Sequence, residues 1–161
     1  MATVSKGIKP EDRKSIEEIL RSTEYFYDFE IQTALEIADE TLTKGIETSG
    51  YYWMKIADED GLIAFANYGK NAFSKHSWDL YWIAVHQNSR NKKLGSVLLK
   101  AIEDDIQKMG GKILWIETSG RSLYAPTESF YRKNGYELQA SLKDFYGPDD
   151  PKQIYSKVLL S

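Results

Sequence analysis

The stretch Arg90-Asn91-Lys92-Lys93-Leu94-Gly95-Ser96 gathers three cations, a glycine and a hydroxyl within seven residues. It follows an apolar run rich in β-formers, Asp79 to Val85. It precedes a segment in which Leu94, Val97, Leu98, Ala101, Ile102, Ile106 and Met109 recur with a helical period. A strand-loop-helix unit of this kind leaves the first amides of the helix without partners and puts the positive end of the dipole beside them. That arrangement holds anions, phosphate above all, and the cations and the glycine suit close approach of a phosphate. A solvated basic loop, with Gly95 kept for packing, accounts for the same residues. The stretch is not a Walker A loop, since the glycine-to-lysine pattern is missing. With one glycine it is not a dinucleotide fingerprint either.

The elements that must hold this loop follow from periodicity and breakers. Thr3 to Ile8 reads as a short strand. Pro10 opens a helix with Glu11 and Asp12 in its first turn and Ile16, Ile19, Leu20 and Thr23 along one face. Asp28 caps a second helix, with Ile31, Ala34, Leu35, Ala38 and Leu42 on its apolar face, and Gly45 ends it. The period then changes. Tyr51 to Ala57 and Leu62 to Tyr68 are strands joined by the turn Asp58-Glu59-Asp60-Gly61. Asp79 to Val85 has the composition of a central strand. Gly110-Gly111 stops the long helix, and Lys112 to Glu117 is another buried strand. Pro126 to Asn134 is a short helix bounded by Gly135. Strands about Tyr136 to Leu142 and Gln153 to Leu159 close the order, with Phe145 to Asp150 as a turn between them. Strands and helices in this order make an α/β layered domain with a mixed sheet.

Composition narrows the function classes. A chain of 161 residues with 42% hydrophobic and 28% charged residues is of one-domain size and can bury a core unaided. The cysteine count is zero, which removes disulfides, thiolate zinc sites and a cysteine nucleophile together. His76 and His86 are too few for a metal site. A net charge of -3 gives no electrostatic case for nucleic acid, and no apolar run is long enough to span a bilayer. Met1 to Lys6 lacks the apolar core of a signal peptide, so the expectation is a cytoplasmic protein.

Ile83-Ala84-Val85 followed by Arg90 through Leu99 resembles the acetyl-CoA motif of the GNAT N-acetyltransferase superfamily. Arg90 matches the first position of that motif and Gly95 the last; Lys93 stands where the middle glycine belongs. Phe130-Tyr131-Arg132-Lys133-Asn134-Gly135-Tyr136 is similar to the family's second signature, an aromatic and Tyr followed by Gly and an aromatic. A helix and a strand lie between the two, as the family requires. Tyr124 occupies the position where many members carry an asparagine that contacts the cofactor, and Thr127 stands where alanine is usual.

The resemblance implies one N-acetyltransferase domain over residues 1–161. Its fold is a GNAT-like mixed, mostly antiparallel central sheet flanked by helices, with splayed central strands. Acetyl-CoA would be the cosubstrate, with no metal. Its pantetheine arm would lie against main-chain groups of Ile83, Ala84 and Val85. Its pyrophosphate would rest on the amides of Arg90, Asn91, Lys92, Lys93, Leu94, Gly95 and Ser96, with Tyr124 and Thr127 nearby. Positive φ at Lys93 would cost strain. Tyr131 is implied as general acid to the departing thiolate, although its helix face also suits packing. Asp79 matches the carboxylate base of the histone-acetyltransferase branch, and Glu117 ends the neighbouring strand. Tyr81, Ile83 and Val85 share the strand face of Asp79 by alternation. The acceptor is an amine of unknown identity, small molecule or protein, and a homodimer is compatible with the family. A non-catalytic acyl-CoA-binding domain is the alternative reading of the same motifs.

Overall fold

The computed structural model describes residues 2–90 and 92–159. In chain order the elements are β1 (Thr3–Lys6), α1 (Asp12–Thr23), α2 (Asp28–Lys44), α3 (Ile46–Ser49), β2 (Tyr52–Asp58), β3 (Gly61–Lys70), β4 (Ser77–Val85), α4 (Leu94–Lys108), β5 (Ile113–Ser119), α5 (Ala125–Lys133), β6 (Glu137–Gly147) and β7 (Asp150–Val158). The strands are ordered β1-β2-β3-β4-β5-β7-β6. β4 and β5 pair in parallel, whereas β1–β2, β2–β3, β5–β7 and β6–β7 are antiparallel. The layered, mostly antiparallel sheet expected from the sequence is therefore present. The chain divides into two compact units, one reaching to Gly69 and resuming at Tyr81–Asp105, the other comprising Lys70–Leu80 and the chain from Ile106 onward.

In the first unit, Trp53 on β2 and Phe65 on β3 meet the buried stripe of α1 and α2 (Ile16, Ile19, Leu20, Ile31, Leu35). Arg13 binds Asp39 through two hydrogen bonds, 2.6 and 3.1 Å, and so joins the two helices. The other sheet face points to α4: the Tyr68 hydroxyl donates to Asp105 at 2.6 Å, and Lys6 pairs with the same carboxylate at 3.0 Å. β3 is thus covered on both faces, and Ala64 to Gly69 are buried without a break.

In the second unit, Trp78, Leu80, Leu114, Ile116 and Tyr155 are buried on one face of β4, β5 and β7. Gly111 allows close packing there, because a Cβ would lie 2.2 Å from Ile106 and 2.6 Å from the Trp78 ring. Register puts Ser77, Asp79, Trp115, Glu117 and Ile154 on the other face.

Local details depart from the sequence reading. Pro10 and Glu11 form a turn ahead of α1, closed by the Asp12 amide on the Lys9 carbonyl at 2.9 Å. Tyr27, not Asp28, is the N-cap of α2; its amide donates to Glu30 at 2.9 Å, which is half of a capping box. α3 is a single turn between Gly45 and Gly50, both at positive φ, too short to leave a periodic signal. The turn placed at Phe145 to Asp150 is tighter, because β6 runs on to Gly147 and β7 begins at Asp150.

Candidate active site

The second unit carries a cleft of about 290 Å³ over its polar face, lined by Asn71, Ser77, Asp79, Trp115, Glu117 and Ile154 among others. The strand register builds it. Asp79 lies directly opposite Trp115, and Glu117 opposite Ile154. The Trp115 indole donates to the Ser77 hydroxyl at 3.1 Å, which fixes the floor. Both carboxylates singled out in the sequence therefore reach one cleft, but their surroundings differ. Asp79 is half-buried and accepts a hydrogen bond from the Asn71 amide at 3.3 Å. Burial pushes its carboxyl upward from the ordinary value; the Asn71 hydrogen bond pulls it down, and the Glu117 charge pushes it up again. Glu117 pairs with Lys152 at 2.5 Å. Lys152 is itself largely buried and sits 4.3 Å from the centre of the Phe145 ring.

Tyr131 belongs to the opposite face of the same unit. It is 4% exposed and packs against Tyr136 and Tyr155, ring centres 6.0 Å away in each case. Tyr155 pairs with Ile116 in the buried face of β5. The structure thus brings Asp79 and Glu117 together and keeps Tyr131 across the sheet from them. Burial, with a smaller contribution from Tyr155, raises the Tyr131 hydroxyl well above the ordinary tyrosine range, so it is protonated at neutral pH. Tyr124 is the residue ahead of α5 and lies under the Arg121 guanidinium, 5.2 Å from the ring centre; Thr127 is half-buried in the first turn of α5.

The basic loop lies in the first unit and is anchored rather than merely solvated. The His86 amide donates to the Ile63 carbonyl at 2.8 Å and the Gln87 amide to the Ser22 hydroxyl at 3.1 Å. Arg90 stacks over Tyr25 at 5.0 Å. Asn91 lies outside the described residues. Lys92 and Lys93 are exposed, and Leu94, Gly95 and Ser96 are half-buried. Lys93 has φ 59°, the left-handed region, so the residue in the glycine position of the motif does adopt the conformation glycine favours. The Val97 amide bonds the Lys93 carbonyl at 3.1 Å, which leaves the amides of Leu94, Gly95 and Ser96 ahead of the first helical bond among the described residues. Three such amides with two exposed ammonium groups suit a diphosphate.

Ile83, Ala84 and Val85 form the end of β4, with Ala84 buried in the cluster under α1 and α2. Their face is not the one alternation gives. Tyr81 meets Tyr51, and the next residue, Trp82, meets Phe26, so consecutive side chains both turn toward the α1–α2 side. Alternation from Asp79 therefore does not carry past Tyr81 to Ile83 and Val85. Within the second unit, β4 pairs with β5 in parallel over Ser77–Leu80 and Ile113–Ile116.

The family model for Acetyltransferase (GNAT) matches residues 13–136. The chain belongs to this family. A crystal structure of a GNAT-family protein from Desulfovibrio desulfuricans is 33% identical, superposes with a TM-score of 0.96, and covers 99% of this chain and 100% of its own. A GNAT fold is shared at lower identity with an aminoglycoside 6'-N-acetyltransferase complexed with coenzyme A (19% identity, TM-score 0.77, 99% and 98% covered). It is shared also with the ribosomal-protein-S18-alanine N-acetyltransferase of Escherichia coli (18%, TM-score 0.76, 100% and 96%). No curated protein sequence matches the chain.

For this GNAT chain, sequence reasoning missed Asn71, Trp115 and Lys152, which surround the two carboxylates. None carries a local signal. Lys152 reaches Glu117 as a diagonal cross-strand neighbour, because Ser119 pairs with Lys152 and Glu117 with Ile154. Among the described residues no cluster of side chains suits a metal ion, and no helix is long and apolar enough to cross a membrane.

Proposed function

We propose that the protein is an acetyl-CoA-dependent N-acetyltransferase that moves the acetyl group to a primary amine by direct attack on the thioester, within one catalytic domain over residues 1–161. The family match runs through segments of both units, which supports one domain. The observation that carries the reading is the Asp79 carboxylate, half-buried in a cleft whose other acid is already paired to Lys152.

An alkylamine has a pKa near 10.4 and arrives protonated, so a base must take its proton before it can attack. Asp79 is that base. Glu117, held by Lys152, shapes the charge around it instead. Main-chain groups of Ile83, Ala84 and Val85 hold the pantetheine arm, and an amide near Val85 donates to the tetrahedral oxyanion. This part rests on the likeness of Ile83-Ala84-Val85 and the loop after it to the family's acetyl-CoA motif, inside the residues the family model matches. The amides of Leu94, Gly95 and Ser96, with Arg90, Lys92 and Lys93, take the pyrophosphate; Asn91 completes the loop in this reading, and Tyr124 and Thr127 border the cofactor. Tyr131, protonated and across the sheet from Asp79, gives its proton to the CoA sulfur as the C–S bond breaks. Acid and base on opposite faces cannot neutralise each other. With no cysteine in the chain, no cysteinyl acyl-enzyme forms.

The test is release of free CoA thiol from acetyl-CoA over a panel of amines. Amine-dependent release that falls in Asp79→Asn is the expected result. Tight CoA binding with no release for any amine would favour a binding-only domain.

A further inference from the structure

Asn71 opens the turn that leads into β4, and its side chain is bonded at both ends. Its Oδ1 accepts the Phe73 amide at 2.9 Å, and its Nδ2 donates to Asp79 Oδ2 at 3.3 Å. The first bond fixes the second. A main-chain N–H needs an acceptor, so the carboxamide oxygen must face Phe73 and the NH2 group must face Asp79. Further bonds hold the turn. The Asn71 amide donates to the Ser77 carbonyl at 3.0 Å, and the Ser74 hydroxyl accepts the amides of His76 and Ser77 at 3.2 and 3.1 Å. Packing adds little, since Phe73 is 98% exposed. The turn and Asp79 border one cleft, through Asn71, Ser74 and Ser77, and all of these residues belong to the second unit.

We infer that Asn71 is a positioning residue for the base: its NH2 group occupies one oxygen of Asp79, fixes the plane of the carboxylate and leaves the other oxygen for the proton of the acceptor amine. The inference rests on Asp79 as base in the reading above. The turn by itself does not call for asparagine, because aspartate or serine at its first position would hold the Phe73 amide as well. Only asparagine also presents a donor to Asp79. A donor on a carboxylate favours the ionised form, which is the form able to take a proton. Burial and the Glu117 charge act the other way, so Asn71 offsets part of their effect. The charged groups on the neighbouring strands are Glu117 on β5 and Lys152 on β7, paired with each other, while Lys75 and His76 are exposed in the turn itself. None of these changes when only position 71 is altered.

The experiment separates the turn from the donor. Asn71→Asp keeps the turn and puts a second carboxylate opposite Asp79. Asn71→Ser keeps the turn with a side chain that ends before Asp79, and it carries the test if the aspartate variant fails to fold. For the full chain, kcat with acetyl-CoA and benzylamine, spermidine or alaninamide is followed against pH in wild type, both variants and Asp79→Asn. The Asp79 carboxyl is also titrated by carbon NMR in wild type and Asn71→Ser, its signal identified by loss in Asp79→Asn. The acidic limb should rise by about half a pH unit in Asn71→Ser and by about one unit or more in Asn71→Asp, where the two carboxylates titrate as a pair. One unit is about tenfold in kcat on the limb. The NMR titration in Asn71→Ser should rise with its limb. A limb and a titration that stay at the wild-type pH in these variants, while Asp79→Asn loses the limb, would overturn the assignment alone and leave Asn71 as a turn residue. A titration that moves without the limb would overturn it too. If the limb survives in Asp79→Asn, or none of the amines is acetylated, the reading of Asp79 as base falls and the assignment falls with it.

Discussion

Replacing Lys93 with glycine and with valine asks whether the main chain or the side chain grips the cofactor. Lys93 sits at φ 59° with its side chain exposed, so a substitution there changes backbone energy with little change in packing. A non-glycine residue in the left-handed region costs about 1–2 kcal/mol. Glycine removes that cost but loosens the unfolded chain by about 0.5–1 kcal/mol. The net expectation for Lys93→Gly is a gain of about 0.5–1 kcal/mol, or roughly 1–4 °C in Tm for a chain of this size. A β-branched residue fits the left-handed region worse still, so Lys93→Val should lose about 1 kcal/mol or more against wild type. Thermal melting of the three proteins gives the order Gly, Lys, Val. CoA titration supplies the second reading. If the amides of Leu94 to Ser96 hold the diphosphate, Lys93→Gly weakens binding by less than about tenfold, the scale of one exposed charge. A valine variant as stable as the glycine one would refute the backbone argument. Loss of all CoA binding in Lys93→Gly would refute the main-chain grip.

Three further outcomes follow from the cleft and the opposite face. Asp79→Asn should lower kcat by about 10²–10⁴-fold and remove the acidic limb of the pH–rate profile; a retained limb would exclude Asp79 as the titrating base. Because the folded state raises this carboxyl, the stability it contributes is present below the unfolded-chain range and is lost as pH rises through the folded value, so the asparagine variant should melt higher than wild type at neutral pH. Lys152→Met leaves the Glu117 charge unpaired; the acidic limb should move to higher pH, while stability falls by about 1 kcal/mol or less for a partly exposed pair, and an unmoved limb would mean that Glu117 does not act on Asp79. Tyr131→Phe keeps the ring contacts with Tyr136 and Tyr155, so melting should change little while kcat falls by about 10²–10⁴-fold; near wild-type turnover would return Tyr131 to packing alone.

The elements with long regular patterns were readable. α4 announces itself through seven apolar positions and Gly110, and β4 through an apolar run, because each repeats one local rule over several residues. The carboxylates Asp79 and Glu117 were readable as candidates, Asp79 through its match to the histone-acetyltransferase carboxylate and Glu117 as the end of the strand expected at Lys112 to Glu117, although both lie inside strands that run from Ser77 and on to Ser119. Their inequality was not, because it depends on Lys152, brought to Glu117 by antiparallel pairing of β5 with β7. The break in alternation at Tyr81 and Trp82 was hidden for a similar reason: the aromatics that draw both rings to one side, Tyr51 and Phe26, are far away in sequence. Lys93 is the reverse case. Its place in the motif marked a left-handed position, and the backbone adopts it without the glycine.

In the proposed reaction an amine takes acetyl directly from CoA, with no protein-bound acyl intermediate. It is tested most directly by incubating the protein with acetyl-CoA and an amine it uses, counting free thiol and acetylated amine while following the intact mass of the protein. The expected result is one thiol per acetylated amine, release that requires the amine, and an unchanged protein mass. Thiol release without amine, accompanied by an acetylated protein, would contradict it.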